Sequence, residues 1–273
     1  MTFIACPANE NPANTVPTPP PAQVNKNILL ATTTSVQDSG LLDVLIPKFN
    51  KETGFNIKPI AVGSGEAMAM GKRGDADVLF VHSPKAEETF MEEGFGKSRK
   101  LLMTNYFVIV GPDEDPAGCF GSANTSEILT KIADKKANFI SRADKSGTHT
   151  KELSLWKNAN ITPTNEWYIE AKTGMGMVLQ IANEKRGYTL TDRATYLSFK
   201  SKLQLKEMTG KDEALINKYS VIVVSPEKFP KANLAGAEAW AKFLFEPETI
   251  KTIEEYGKDK YGESLFYPAV KTD

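Results

Sequence analysis

The chain has 273 residues, with 33 Lys and Arg against 34 Asp and Glu, a net charge of -1 and 41% hydrophobic residues. That length allows one large domain or two modest lobes, and the balanced charge gives no basic excess to follow a phosphate backbone, so nucleic acid is a poor partner. No segment holds the roughly 18 uncharged apolar residues of a membrane span, and two histidines (His82, His149) and two cysteines (Cys6, Cys119) without CxxC or HExxH spacing exclude zinc and iron–sulfur sites.

The amino terminus comes first. Phe3-Ile4-Ala5-Cys6 resembles a bacterial lipobox, in which a small residue precedes a cysteine that is lipidated after signal cleavage. The charged start and apolar run of a full signal are missing, so the chain is expected to begin inside a trimmed signal with Cys6 as the lipid attachment point; an ordinary cysteine in a disordered terminus is the alternative. Residues 7–26 carry six of the 16 prolines and read as an extended tether that cannot build a core. Cys119 reads as a small packed residue rather than half of a disulfide with Cys6.

Residues 27–31 (NILLA) suit a buried strand. A helix is expected from Asp38 or Ser39, with Leu41, Leu42, Leu45, Ile46 and Phe49 on one face and Pro47 kinking or splitting it. Residues 55–62 form a second strand, Gly63-Ser64-Gly65 opens a short helix, and residues 77–82 (DVLFVH) form a third strand before a helix opened by Ser83-Pro84. Residues 101–110 are strongly β, and residues 112–121 are a breaker-rich crossing. A second unit follows, with helices at 125–135 and after 148, strands at 138–140 and 167–171, a helix ending near Arg186, and a turn into a helix over 188–196. Residues 211–218 form a second crossing, 219–224 (YSVIVV) a buried strand, and 234–245 and 248–256 the last helices. Strands alternating with helices imply parallel α/β sheets. The expected layout is a tether over 1–26, one lobe over 27–112 plus 216–273, and a second over 113–215, with hinges near Pro112 and Lys211 and a ligand crevice between the lobes.

Four polar loops stand between a strand and a helix, at 32–35, 63–65, 141–148 and 191–193, where helix N-termini present free N–H groups. They offer hydroxyls and glycines but few charges, which suits an anion held by neutral donors and one arginine, although each loop alone is also good capping chemistry. In S-R-A-D-K-S-G-T (141–148), Arg142 supplies a planar fork of donors, Asp144 can hold that fork, and Ser146 and Thr148 add hydroxyls around a glycine.

R-x-D-x-S-G-T resembles the anion loop of periplasmic phosphate-binding proteins. Ala31-Thr32-Thr33-Thr34-Ser35 with Asp38 and Gly40-Leu41-Leu42, residues 62–67 (VGSGEA), 74–78 (GDADV), the run from Ser141 to Glu152, and 191–196 (TDRATY) together resemble the tungstate-binding substrate receptors of ABC importers, over about residues 27–270. That resemblance implies a two-lobed type II periplasmic-binding fold, each lobe a mostly parallel sheet flanked by helices, with no catalysis and no cofactor. The implied ligand is tungstate or molybdate, and the implied partner is a membrane permease on the outer face of the cell. Carried onto this chain, it assigns Thr33, Thr34, Ser35 and Ser64 as contacts from the first lobe and Arg142, Ser146 and Thr148 from the second. Ala143 stands where glycine is common in the family, which matters only if the position needs a positive φ. Asp144 is expected to hold Arg142 rather than face the ligand, and His149 either supports the site or is an ordinary helix residue. Arg193 either reaches the anion or pairs with Asp192. His82 is expected to be a satisfied buried or hinge histidine, and Asp75 and Asp77 to cap and pair rather than bind metal. A phosphate receptor of the same fold, a serine hydrolase using Ser64 or Ser146 with His149, and a cytoplasmic sensing domain are the competing readings. The hydrolase is opposed by the missing G-x-S-x-G turn. The chain is expected to be a monomer, touching the membrane through its lipid alone.

Overall fold

The computed structural model describes residues 1–2, 25–210 and 212–270. Cys6, most of the expected tether and Lys211 lie outside the described residues. Strand β1 (Asn27–Thr33) runs into a short helix, α1 (Thr34–Asp38), and then α2 (Leu41–Thr53). The expected break therefore falls at Gly40, whose φ of 79° is left-handed, and not at Pro47, which sits inside α2. Pro47 and Asp43 are both exposed, so the carbonyl that proline deprives of a partner faces water. Strand β2 (Asn56–Val62) leads to α3 (Ser64–Arg73), then β3 (Val78–Val81) and α4 (Pro84–Glu92). Asp75 pairs with Arg73 and Asp77 accepts from the N–H groups of Leu29 and Asn233, as expected of capping carboxylates.

Strand β4 (Gly96–Pro112) is 17 residues long, far beyond the expected run. After it come α5 (Thr125–Asp134), β5 (Phe139–Ser141), α6 (Gly147–Asn158), β6 (Tyr168–Glu170), α7 (Met175–Glu184), β7 (Thr189–Asp192), α8 (Arg193–Phe199), β8 (Leu205–Glu207), β9 (Ile216–Val224), α9 (Leu234–Phe243), α10 (Pro247–Glu255), α11 (Lys258–Tyr261) and β10 (Tyr267–Pro268).

The main sheet has the order β10-β4-β9-β3-β1-β2, with β7 and β8 also paired to β4, while β5 and β6 form a separate parallel pair. β1 is parallel to both β2 and β3, but β9 is antiparallel to β3 and to β4, and β7 and β8 are antiparallel to β4. The sheet is thus mixed, which corrects the expectation of mostly parallel sheets. A run buried on both faces, such as 219–224, reads as the same apolar string whichever way it points, and here it returns from the far unit against β3.

β4 joins the two halves of the chain. Its residues from Gly96 to Tyr106 pair with β9, and from Phe107 onward they pair with β7 and then β8. The chain therefore passes from one set of partners to the other in hydrogen-bonded strand, and Pro112 ends β4 opposite Leu205 of β8. Phe49 of α2 forms an aromatic knot with Trp240 and Phe243 of α9. Trp156 packs edge-on to Phe139 and against Trp167 in the second core. These two cores fix the ends of β1, β2 and β5, from which the polar loops project.

Candidate anion-binding site

The helices that start α1, α3 and α6 converge. Thr33 caps α1, its Oγ1 accepting from the Val36 N–H, and Ser146 caps α6, its Oγ accepting from the His149 N–H. Gly63 and Gly65 bring α3 against the 141–148 loop: a Cβ on Gly65 would lie 3.2 Å from the Lys145 carbonyl oxygen. A Cβ on Gly147 would lie 2.8 Å from Ser64 Oγ and 3.0 Å from His82 and from Ser83 Oγ. Only glycine lets the two helix starts meet this closely.

Arg142 bridges the remaining gap. Its Nη2 donates to Asp144 Oδ2 at 2.6 Å and to Thr34 Oγ1 at 3.3 Å, and Asp144 Oδ1 accepts from the Ser146 N–H. Both Asp144 oxygens are thereby engaged within the loop. Thr33, Ser35, Ser64, Arg142, Ser146 and Thr148 are all 3% exposed or less. Among the described residues, Ser64 Oγ, Arg142 Nε and Thr148 Oγ1 are buried with no hydrogen-bond partner. Leaving such groups unpaired costs about 1–3 kcal/mol each and more for a charged one, and three from two facing loops are the mark of a site built for a ligand with several acceptor oxygens.

A match to the PBP superfamily domain covers residues 18–248. The tungstate-binding protein TupA of Peptoclostridium acidaminophilum is 46% identical over 270 residues, spanning 98% of this chain and 93% of that protein. This chain belongs to the TupA family of the PBP superfamily. Two solved structures share the fold: the tungstate ABC transporter protein of Geobacter sulfurreducens (47% identity, 85% of this chain and 99% of that one, TM-score 0.78) and TupA of Desulfovibrio alaskensis G20 (41%, 90% and 99%, TM-score 0.75).

Within this TupA-family site, Arg193 departs from both of its expected roles. Its guanidinium is clamped by Glu207 and Glu263, which hold it strongly protonated, and it pairs neither with Asp192 nor with the other polar loops. The fourth loop instead presents Asp192, fully buried, capping α8 by accepting from the Thr195 N–H and hydroxyl. Burial pushes this carboxyl up to about 6. A buried acid at this position disfavours an anion beside it.

His82 belongs to a polar chain that sequence reading missed. Asp192 accepts from Asn105 Nδ2 at 3.5 Å, Asn105 Oδ1 accepts from Asn217 Nδ2 at 2.9 Å, and Asn217 Oδ1 lies 3.0 Å from His82 Nδ1. Desolvation lowers His82 to about 4, so it is neutral at pH 7. Because each amide is oriented by the next partner, beginning at a carboxylate that only accepts, Nδ1 must carry the His82 proton and Nε2 must accept. The Ser35 hydroxyl, 3.2 Å from Nε2, therefore donates to His82. Its proton is spent, and Thr33, 3.2 Å away, donates to Ser35 in turn. In this assignment the Ser35 and Thr33 hydroxyl protons are both directed within the protein, which makes the pair a support under the site.

His149 accepts the Lys145 N–H on Nδ1 and so braces the loop. Glu152, also unrecognised as a support, accepts from the hydroxyls of Ser141 (2.8 Å) and Tyr168 (2.5 Å), anchoring the strand end from which the loop springs. Burial raises its carboxyl to about 7 against an ordinary 4.5. A raised carboxyl contributes stability below its unfolded value, and that contribution is lost as pH rises through the folded one. The stability of the unaltered chain relative to Glu152→Gln is accordingly expected to fall between pH 4.5 and 7 and to level off above. Urea titrations of both proteins across that range check this, and the difference cancels the shifts of Asp192 and His82.

Ala143 has a φ of 47° and Lys145 one of 60°, so the position where glycine is common does require left-handed backbone. Ala143→Gly is expected to stabilise the chain by about 0.5–1 kcal/mol, the balance of relieved strain over the entropy glycine gains when unfolded. Thermal melting reads this as a rise of about 1–4 °C.

Proposed function

We propose that this chain is an extracytoplasmic receptor that captures tungstate between two lobes and delivers it to the permease of an ABC importer. The observation that carries the reading is the trio of buried, unpartnered donors on two facing loops, Ser64 Oγ on one and Arg142 Nε and Thr148 Oγ1 on the other. Thr34, whose own proton is left over after it accepts from Arg142, and Ser146, likewise an acceptor from the His149 N–H, complete the set. The relatives named above support tungstate, and Asp144 supports a ligand without protons. Its two oxygens accept from Arg142 and the Ser146 N–H, so the carboxylate is turned to its own loop and not set out to receive a proton from a protonated phosphate. Molybdate shares the charge and shape of tungstate and remains the nearest competitor.

The lobes in this reading divide where β4 changes partner, at Tyr106–Phe107, with the β4–β9 pair as hinge. The hinge carries Asn105 and Asn217, which face each other across the pair and link Asp192 of one lobe to His82 of the other. The protein acts as a carrier and not an enzyme. Tethering through a lipidated Cys6 would keep it at the outer face of the membrane.

Tungstate at 100 times its Kd is expected to raise the melting temperature by about 5–10 °C, since it stabilises only the folded state, by about 2.7 kcal/mol. Millimolar phosphate should leave it unchanged. A shift with phosphate and none with tungstate overturns the proposal, and calorimetric titration with both and with molybdate ranks the three.

A further inference from the structure

Beside the buried site lies a cavity of about 790 Å3, lined by Lys85, Lys145, Lys151 and Lys218 against a single carboxylate, Glu213. These lysines come from α4, the 141–148 loop, α6 and β9, so both lobes contribute. None of the four makes an ion pair among the described residues, whereas Lys72, Lys97, Lys131 and Lys136 each meet a glutamate. Lys151 lies over the Phe107 ring, 5.9 Å from its centre. Burial holds its ammonium below the ordinary lysine value, and the charge of Lys218 presses it further down, a strain that an anion would relieve. The nearby Asp212 raises it, but one Asp212 oxygen is taken by the Thr125 N–H and hydroxyl and the other by the Ala214 N–H.

The cavity shares a wall with the buried site. His82 lines it and also takes the Ser35 proton; Gly147 lines it and packs against Ser64. One residue layer separates the lysines from the three unpartnered donors. The volume is that of a pocket for an organic ligand, far more than a bare tetrahedral ion fills, and ammonium groups are hydrated point charges that hold anions loosely. We propose that this cavity is an outer anion site, where a divalent oxyanion is held with its water by the four lysines before it passes to the buried donors and the lobes close on it. The inference rests on the receptor reading, and it places the protein's positive potential at the seam although its net charge is -1.

Focused charge of this kind raises association rates by about 10- to 1,000-fold, with a steep dependence on salt. The test is stopped-flow association of tungstate at increasing sodium chloride, for the unaltered chain and for Lys85→Gln/Lys151→Gln/Lys218→Gln. Lys145 is left in place because it lies within the 141–148 loop at a left-handed φ of 60°. The expected result at low salt is association slowed by about tenfold, a flatter salt dependence, and dissociation changed by less than twofold. Unchanged association, or a loss confined to dissociation, overturns the proposal. If the triple variant fails to melt cooperatively, Lys85→Gln and Lys218→Gln, both at exposed positions, are measured singly, each expected to slow association by about twofold. Should the chain bind molybdate or phosphate but not tungstate, the ligand reading fails alone and the same series with the bound anion still decides this one. A chain that binds none of the three overturns both.

Discussion

Arg142→Ala is expected to weaken tungstate binding by roughly two to three orders of magnitude, in line with the 2–5 kcal/mol lost when one partner of a buried, hydrogen-bonded charge pair is removed. Arg142 is the guanidinium within the ring of polar loops, is almost wholly buried, and already satisfies Asp144 and Thr34 through Nη2, leaving Nε to aim inward. Its removal takes away the charge and also frees Asp144, whose carboxylate would then repel a dianion. Arg142→Lys should recover only part of the loss, because an ammonium cannot serve Asp144, Thr34 and the ligand from one fixed plane. Two serines on neighbouring helices sharpen the expectation. Ser64→Ala deletes an unpartnered donor and should cost about 1.5–3 kcal/mol, the range for a hydrogen bond to a charged group, or about 10- to 150-fold. Ser35→Ala deletes a hydroxyl whose proton already goes to His82, and should cost less than about fivefold. Calorimetric titration of the four variants checks the order. Equal losses at Ser35 and Ser64 would show that His82 does not hold the tautomer assigned to it.

Gly147→Val is the second large effect, and it acts on closure. The first atom beyond Cα at this position would meet Ser64 Oγ at 2.8 Å and the His82 and Ser83 side chains at 3.0 Å, all from the opposite lobe in the division proposed above. Branching adds two methyl groups to a space that does not hold one. Overpacking of this kind costs about 1–3 kcal/mol, and here the chain escapes it by keeping the lobes apart. The melting temperature without ligand should therefore change little, while tungstate affinity falls by about 5- to 150-fold. Small-angle scattering separates closure from a local defect: the unaltered chain should contract on adding tungstate and the variant should not. A variant that contracts normally and still binds weakly would place the damage in the donors alone.

The contact loops were legible because their chemistry is local. A Ser or Thr before a helix caps it wherever the helix packs, so Thr33 and Ser146 could be read as caps from their neighbours. Arg142 and Asp144 are two residues apart, close enough for the chain itself to bring them into contact. Alternating strands and helices gave the α/β class for the same reason. What only the tertiary structure decided involves partners distant in sequence. Arg193 was captured by Glu207 and Glu263, and Glu263 lies 70 positions away where no spacing rule reaches. Strand direction was equally hidden, since burial on both faces erases the pattern that would tell parallel from antiparallel. The role of Ser35 was hidden furthest. Its proton is directed by His82, His82 by Asn217, and Asn217 by Asn105, which stands opposite it only because β4 and β9 pair antiparallel in one register. A sequence specifies which groups can donate, but the direction of each proton depends on the whole hydrogen-bonded chain, and that chain exists only once the strands have met.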